Sequence, residues 1–281
     1  VPAIQRNLGA AANLLFRSPR AVSARNQVPK HYDARFLNAA VEASDFDLPT
    51  LADKIKDSGH KDFSMLLHGP AGTGKTEYLA YFANLLDMDV MICSAADLGS
   101  MYHSESERKI MAAFAEAEAS GRFLIIDEAD TFLRRRGDLL NNFEVSGVNT
   151  MLTCMERHPM PFGCTTNLYK NIDGAAKRRF TFNIRFDTLT PAQRLLAYEH
   201  FFGRPAPQDL PSICSNLVPA DFVKVNGQKR FIGGGDDDAK LVRLLSLASK
   251  ARLDDEQDKL YGGNERGFGF VTPASTVRNP K

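Results

Sequence analysis

Short apolar runs alternate with longer amphipathic stretches between residues 63 and 187 of the chain. The apolar runs have the length of buried strands, and they cover residues 63–68, 90–93, 123–126, 162–165 and 180–186. Between them, apolar residues recur at helical spacing over 76–86, 106–119 and 143–157. Strands that alternate with helices predict an α/β fold, here a central parallel five-stranded sheet flanked by helices.

The chain beyond residue 188 shows helical signals and no strong strand pattern. Helices are predicted over 191–202, 219–231 and 237–253, and the first two begin with a proline, which suits the first helical position. These helices predict a small C-terminal lid subdomain. Upstream of the sheet, residues 32–56 predict a short helical lead-in.

The pattern divides the chain into four predicted parts. Residues 1–34 form a basic N-terminal arm or linker, 35–188 the α/β subdomain, 189–261 the helical lid subdomain and 262–281 a C-terminal tail. The first 31 residues contain basic but no acidic side chains. We interpret them as a linker, and the alternative is a segment that targets the protein to an organelle matrix.

Composition narrows the function classes. The 35 Lys and Arg against 34 Asp and Glu give a net charge of +1, so no overall field would attract nucleic acid or anionic lipid. The four cysteines form no C-x-x-C pair, which argues against a zinc site or a disulfide framework. No apolar run approaches membrane-spanning length. We therefore expect a protein of the cytoplasm without a membrane span.

A phosphate-binding loop lies between the first predicted strand and the first predicted helix of the sheet. It reads Gly69, Pro70, Ala71, Gly72, Thr73, Gly74, Lys75 and Thr76, which fits G-x-x-x-x-G-K-[ST]. Backbone N–H groups of such a loop face the phosphates of ATP, Lys75 adds a cation, and Thr76 offers its hydroxyl to Mg²⁺. The sequence thus predicts ATP and Mg²⁺ as cofactors.

Two adjacent carboxylates follow the apolar strand 123–126. At this end of a parallel strand Asp127 can hold Mg²⁺, and Glu128 can polarise the water that attacks the γ-phosphate. The alternative for such an acidic turn is a solvated helix cap. Beside a phosphate-binding loop, the pair predicts ATP hydrolysis.

With these two motifs the sequence resembles the AAA family of ATPases, within the AAA+ superfamily, from about Phe63 to about Arg252. The segment Thr165-Thr166-Asn167 resembles the family's sensor 1, and the resemblance implies that Asn167 orients water against the γ-phosphate. Outside that context, an asparagine after a strand is usually a turn former. No sensor 2 arginine is identified.

Residues 172–180, Ile-Asp-Gly-Ala-Ala-Lys-Arg-Arg-Phe, resemble the family's second region of homology. In the family the two arginines reach into the nucleotide site of the neighbouring subunit, so Arg178 and Arg179 become candidate arginine fingers. A guanidinium supplied in this way stabilises charge on the transferring phosphoryl group. The alternative is a basic cap at a helix end.

Residues 100–107, Ser-Met-Tyr-His-Ser-Glu-Ser-Glu, resemble the pore loop of katanin and spastin relatives. Tyr102 then aligns with the aromatic residue that grips a polypeptide client, and His103 follows it. Met101, His103 and Ser104 depart from the family pattern. The alternative is an ordinary loop tyrosine, with Ser104 as the cap of the next helix.

The resemblance implies an ATP-hydrolysing motor that assembles as a homo-oligomeric, hexameric ring and remodels, unfolds or disassembles protein clients through a central pore. Two alternatives stay open. One is an AAA+ ATPase that acts on nucleic acid, against which the residues 101–103 offer no Lys or Arg. The other is a nucleotide-dependent scaffold, regulatory switch or small-molecule kinase.

Overall fold

The computed structural model describes residues 33–42, 47–100, 103–135, 142–232 and 237–261. The greater part of the predicted arm and the whole predicted tail lie outside these residues. Tyr102, the residue of the predicted pore contact, also lies outside them.

A six-stranded sheet forms the centre of the fold. Its strands are β1 Ala39–Val41, β2 Ser64–His68, β3 Val90–Ser94, β4 Phe123–Asp127, β5 Phe162–Thr166 and β6 Phe182–Phe186. They lie in the order β1-β6-β2-β5-β4-β3. All the neighbours from β6 to β3 are parallel, which confirms the five predicted strands.

The first strand was not predicted. β1 pairs antiparallel with the edge strand β6, in the register Ala39↔Phe186, inside a segment for which we expected helix alone. That expectation was wrong for residues 39–41 because three residues are too few to show a strand period, and pairing with β6 decides their conformation. The predicted lead-in helix begins later, as α1 over Leu48–Ser58, where Asp47 accepts from the backbone N–H of Thr50.

Helices cover both faces of the sheet. After α1 they are α2 Lys75–Leu85, α3 Ala95–Leu98, α4 His103–Ser120, α5 Asp130–Leu133, α6 Asn142–Arg157 and α7 Gly174–Lys177. Neighbouring residues of β2 point to opposite faces: Leu66 packs in the core with α4 and α6, whereas Met65 and Leu67 pack in the core with α1 and α2. The predicted alternation of strands and helices therefore yields two buried layers.

A helical bundle follows the sheet. It consists of α8 Pro191–Phe202, α9 Leu210–Ile213, α10 Pro219–Ile232 and α11 Asp238–Tyr261. Thr190 and Gln193 form a capping box at the start of α8, and Gly203 ends that helix in a left-handed conformation. The bundle has its own core, to which Phe36 contributes from a 3-10 helix over Ala34–Phe36. The predicted domain boundaries stay predictions.

Among the described residues, no helix is both long enough and apolar enough to cross a membrane.

Candidate functional site

The phosphate-binding loop connects the carboxyl end of β2 to the start of α2. Gly69 has a φ of 135°, and a Cβ atom there would lie 2.0 Å from the carbonyl oxygen of Phe186. Gly72 has a φ of 80°, and its Cβ atom would lie 2.8 Å from that of Ala220 in α10. Glycine is therefore required at both positions, and the loop has a shape that a side chain would destroy.

Lys75 is buried inside the loop, at 6% exposure. Its Nζ atom donates to the carbonyl oxygens of Gly69 at 2.9 Å and Pro70 at 2.8 Å, and to Oδ1 of Asn167 at 2.8 Å. Burial lowers the pKa of Lys75 to about 8, while the nearby carboxylates of Asp127 and Asp130 oppose that shift. The lysine cation is thus placed among backbone oxygens, close to where phosphate oxygens would bind.

Asp127 ends β4 beside the first turn of α2. Its Oδ1 atom accepts from the hydroxyl of Thr76 at 2.7 Å and from the hydroxyl of Thr165 at 2.5 Å. Hydroxyl and carboxylate oxygens are ligands that suit Mg²⁺, and the magnesium of such sites is completed by phosphate oxygens and water. Among the described residues, no group of three or more His, Cys, Asp or Glu side chains is placed so that it could hold a metal ion.

Glu128, the second of the two adjacent carboxylates, has an unusual backbone conformation. Its φ of 54° is left-handed, which is costly for a residue with a side chain, by about 1–3 kcal/mol. Its backbone N–H donates to the hydroxyl of Thr165 at 3.0 Å, and the next N–H, of Ala129, donates to the Thr165 carbonyl oxygen at 2.9 Å. Two adjacent carboxylates therefore have different surroundings: Asp127 is bound by hydroxyls and Glu128 is exposed.

Asn167 follows β5 and reaches Lys75 across the loop. The segment around it is held by Asp130, whose Oδ1 atom accepts from the hydroxyl of Thr166 and, at 3.3 Å, from the backbone N–H of Leu168. The structure thus brings Lys75, Thr76, Asp127 and Asn167 together at one edge of the sheet. Sequence reasoning assigned no role to Thr165 or Asp130, although both are polar residues at the carboxyl ends of neighbouring strands.

Arg178 and Arg179 lie elsewhere. The Arg179 carbonyl oxygen accepts from the hydroxyl of Ser64, at 3.3 Å, and Ser64 begins β2, whereas the phosphate-binding loop follows its end. The two ends of a five-residue strand lie roughly 13 Å apart. The Arg179 side chain donates to Glu156 at 2.7 Å and to the Ala175 carbonyl oxygen at 2.9 Å. The structure does not bring this arginine pair to the phosphate-binding loop of its own chain.

A cavity of about 570 Å³ lies beside the loop, between it and the helical bundle. Its walls include Phe36, Phe201, Val223 and residues 72–74 of the loop. The charged residues at the wall are Asp33, Glu77 and Lys224. Sequence reasoning missed this cavity because its walls come from segments that are distant in the sequence.

Arg252 of α11 connects the helical bundle to the loop. Its guanidinium donates two bonds to Asp221 of α10, at 2.9 and 3.0 Å, and a third to the carbonyl oxygen of Ala71 at 3.1 Å. The backbone N–H of Ala220 also donates to the Gly72 carbonyl oxygen at 3.3 Å. The sequence placed Arg252 only at the end of a family resemblance, and no local pattern indicates that it contacts a loop 181 residues away.

The segment of the predicted pore loop is partly described. His103 begins α4, and Tyr102 lies outside the described residues. Next to them, the hydroxyl of Ser100 donates to Glu105 at 2.5 Å, and Lys109 donates to the Gly99 carbonyl oxygen at 3.2 Å. The roles of Tyr102 and His103 stay predictions.

Comparison with known proteins identifies relatives of this site. Residues 65–188 match the sequence model of the family described as "ATPase family associated with various cellular activities (AAA)". Spastin of Ixodes scapularis is 35% identical over 202 residues, which cover 69% of this chain and 30% of spastin. Fidgetin-like protein 1 of Caenorhabditis elegans is 26% identical over 247 residues, which cover 76% of this chain and 41% of that protein. The matches thus span less than half of these relatives.

Solved structures share the fold. The crystal structure of the FIGL-1 AAA domain in complex with ADP has a TM-score of 0.53 at 20% identity, and covers 86% of this chain and 99% of that one. A chain of the Escherichia coli MS115-1 HORMA:CdnC:Trip13 complex has a TM-score of 0.55 at 18% identity, and covers 70% of this chain and 77% of that one.

Proposed function

The chain contains a domain of the AAA family of ATPases, over residues 65–188, and from this premise we propose that it hydrolyses Mg-ATP in a homo-oligomeric ring whose neighbouring subunits share each active site. One observation carries the proposal. The groups suited to bind ATP lie at one end of β2, whereas Arg179 lies at the other end, held by Glu156 and out of reach of its own loop. Such a division suits a pair of subunits in which one supplies the loop and the other supplies the arginines.

The nucleotide fits the space beside the loop. Its phosphates would lie against the N–H groups of the loop and the Lys75 cation, at the start of α2. Its base and ribose would enter the 570 Å³ cavity, whose apolar walls include Phe36 and Val223. A predominantly apolar cavity next to a phosphate site is the arrangement that a nucleotide needs.

Hydrolysis is assigned to residues at the same edge of the sheet. Thr76 and Asp127 would hold the magnesium ion, which when bound neutralises charge on the phosphates. Glu128, which is exposed, accepts a hydrogen bond from the attacking water and orients it. Lys75 binds oxygens of the γ-phosphate, and Asn167, which contacts Lys75, helps to orient the water against that phosphate.

The arginine pair completes the site from the neighbour. Arg178 is exposed, and the Arg179 side chain would exchange its bond to Glu156 for phosphate oxygens of the adjacent subunit. The work done by the ring is proposed to be the remodelling of protein clients, with Tyr102 and His103 as client contacts in the pore. Action on nucleic acid is the second candidate, and the net charge of +1 argues against it.

The test is complementation between two inactive variants. Lys75→Ala subunits have intact arginines and a defective loop, and Arg179→Ala subunits have the reverse. Each alone should hydrolyse ATP at about one hundredth of the normal rate or less, and a mixture should recover part of the activity. A mixture that stays as inactive as its components, although both variants assemble and Arg179→Ala binds ATP, would rule out sharing of the site.

A further inference from the structure

Four side chains outside the assigned site form a contact cluster at the carboxyl end of β2. The rings of His68 and Tyr169 stack with centroids 3.7 Å apart and planes 10° from parallel. Lys177 places its Nζ atom 3.8 Å from the centroid of the Tyr169 ring. Glu42 bonds to both rings, at 2.9 Å to Nε2 of His68 and 2.9 Å to the hydroxyl of Tyr169. We call these four residues the stack cluster.

Each aromatic or basic member of the stack cluster is next to a group of the proposed shared site. His68 immediately precedes Gly69, the first residue of the phosphate-binding loop. Tyr169 lies two residues after Asn167. Lys177 is the last residue of α7 and immediately precedes Arg178 and Arg179. The cluster therefore joins the loop that binds a subunit's own nucleotide to the helix that presents its arginines.

The polar groups of the stack cluster are bonded to one another, which argues against a ligand site. His68 is buried, with 5% of its side chain exposed, and its polar contact is used by Glu42. Burial lowers the pKa of His68; Lys177 and Arg185 act in the same direction, and Glu42 opposes them. A neutral imidazole ring suits a stack whose other face carries a lysine cation over the tyrosine.

The start of α7 is fixed by other contacts. The backbone N–H of Asp173 donates to the Leu133 carbonyl oxygen at 2.8 Å, and the Asp173 side chain caps the helix by accepting from Ala175 at 2.6 Å. These contacts hold the beginning of a four-residue helix, and the Lys177 contact holds its end. The stack cluster therefore acts on the end of α7 from the Lys177 side, together with the bonds of Arg179 to Ser64 and to the Ala175 carbonyl oxygen.

We propose that His68, Tyr169 and Lys177, with Glu42, are positioning residues that set the end of α7 so that Arg178 and Arg179 are presented to the neighbouring subunit. This inference rests on the shared site proposed above. The inference goes beyond the shared site because it assigns the presentation of the arginines to side chains that touch neither nucleotide nor phosphate.

The experiment uses a mixed ring of two kinds of subunit, called acceptor and donor, which are its two halves. Substitutions are placed in one kind of subunit at a time. Acceptor subunits carry Arg179→Ala and an intact loop, and donor subunits carry Lys75→Ala and intact arginines. Tyr169→Leu, which removes the stacked ring, is added to the donor in one mixture and to the acceptor in another. Tyr169→Phe keeps the ring and loses only the hydroxyl, and Lys170→Ala is the matched control, since Lys170 is exposed beside Tyr169.

We expect Tyr169→Leu in the donor to lower the recovered ATPase rate by about tenfold. The same substitution in the acceptor should change the rate by less than about twofold, and the acceptor's affinity for ATP should be unchanged. Tyr169→Phe in the donor should retain most of the activity because the stack with His68 and Lys177 remains. Lys170→Ala should behave as wild type in either half.

Other outcomes overturn the proposal in distinguishable ways. Equal losses from donor and acceptor would show that Tyr169 supports the fold in general. A loss confined to the acceptor would show that the stack cluster serves the subunit's own nucleotide. No loss in either half would remove any role in hydrolysis. Absence of activity in the parent mixture, without Tyr169→Leu, would overturn the shared site itself and this inference with it.

Discussion

The two ends of β2 differ in how their functional side chains are held. At the carboxyl end, Lys75 and Asp127 are bonded to partners within the same site, through Asn167 and Thr76. At the amino end, Arg179 is bonded to Glu156, which belongs to a surface helix and has 53% of its side chain exposed. Side chains that must be ready for a substrate inside their own chain are fixed in advance. The side chain proposed to act on another chain is held by an exposed ion pair of small energetic value and by one backbone carbonyl oxygen, that of Ala175.

The largest effect that we expect from this comparison is a loss of ATPase activity on substitution of Glu128. Among the proposed catalytic groups at the carboxyl end, Glu128 is the one that is exposed. Glu128→Gln should keep ATP binding and assembly and reduce turnover by at least about a hundredfold, because it removes the carboxylate that orients water and leaves Thr76 and Asp127 intact. The measurement is the steady-state ATPase rate beside the dissociation constant of ATP.

The matched control is Lys75→Ala, which should weaken nucleotide binding itself. If Glu128→Gln lost ATP binding while its fold stayed intact, the division between binding and catalytic carboxylates would be wrong.

Two glycines test the same comparison through stability. Gly69→Ala, at the carboxyl end, should destabilise the fold by about 3 kcal/mol or more, because its Cβ atom would lie 2.0 Å from the Phe186 carbonyl oxygen. Gly174→Ala, in the helix that precedes the arginines, should change stability by no more than about 0.5 kcal/mol, since its Cβ atom meets nothing within 4 Å.

Thermal melts of the two variants without nucleotide check this difference. We expect the melting temperature of Gly69→Ala to fall by roughly 6–12 °C and that of Gly174→Ala to stay near wild type. Equal shifts would show that the surroundings of Gly69 tolerate a Cβ atom as well as those of Gly174 do.

What the sequence predicted well was local or periodic. The five parallel strands and the loop of residues 69–76 follow from apolar runs and from a motif whose spacing is set by phosphate geometry. What it missed depends on contacts distant in sequence. Thr165 bonds to Asp127 across 38 positions, and Arg252 bonds to Ala71 across 181, so neither residue has a signal in its own neighbourhood. Asn167 and the pair of Arg178 and Arg179 became candidate site residues only because a family resemblance marked their positions.

Arg252 extends the comparison to the helical bundle, which contacts the carboxyl end of β2 through the Ala71 and Gly72 carbonyl oxygens. Arg252→Met should accelerate the release of a bound nucleotide by roughly tenfold, because the pair with Asp221 no longer holds α11 and α10 against the loop. Stopped-flow release of a fluorescent nucleotide measures this rate.

Lys250→Ala, an exposed position on the same helix, is the control and should release nucleotide at the normal rate. Asp221→Asn combined with Arg252→Met should add little to the single change, since both substitutions break one contact. Fully additive effects would mean that Arg252 acts on the loop without Asp221.

The smallest expected effect concerns two histidines, the buried His68 at the carboxyl end of the sheet and the half-buried His158 at the opposite end, just before β5. His68 is bonded to Glu42, whereas the buried Nε2 atom of His158 has no hydrogen-bond partner among the described residues and the ring lies edge-on to Phe114 and Phe162. Burial lowers the pKa of His158 below 6.5, and the charge of Glu118 partly opposes it.

The unfolded chain therefore takes up the proton first as the pH falls below about 6.5, so the folded state loses stability over the window between that value and the lowered pKa. His158→Phe removes the titrating group and fills the same space. We expect it to melt near wild type at pH 7.5 and to become progressively more stable than wild type as the pH falls toward 5.5. His68→Phe should instead lower stability at both pH values because Glu42 loses its bond to His68 and keeps only the one to Tyr169. Melting curves of the two variants and of wild type, recorded across this pH range, check the prediction. It would be contradicted if the difference in melting temperature between His158→Phe and wild type did not grow as the pH falls.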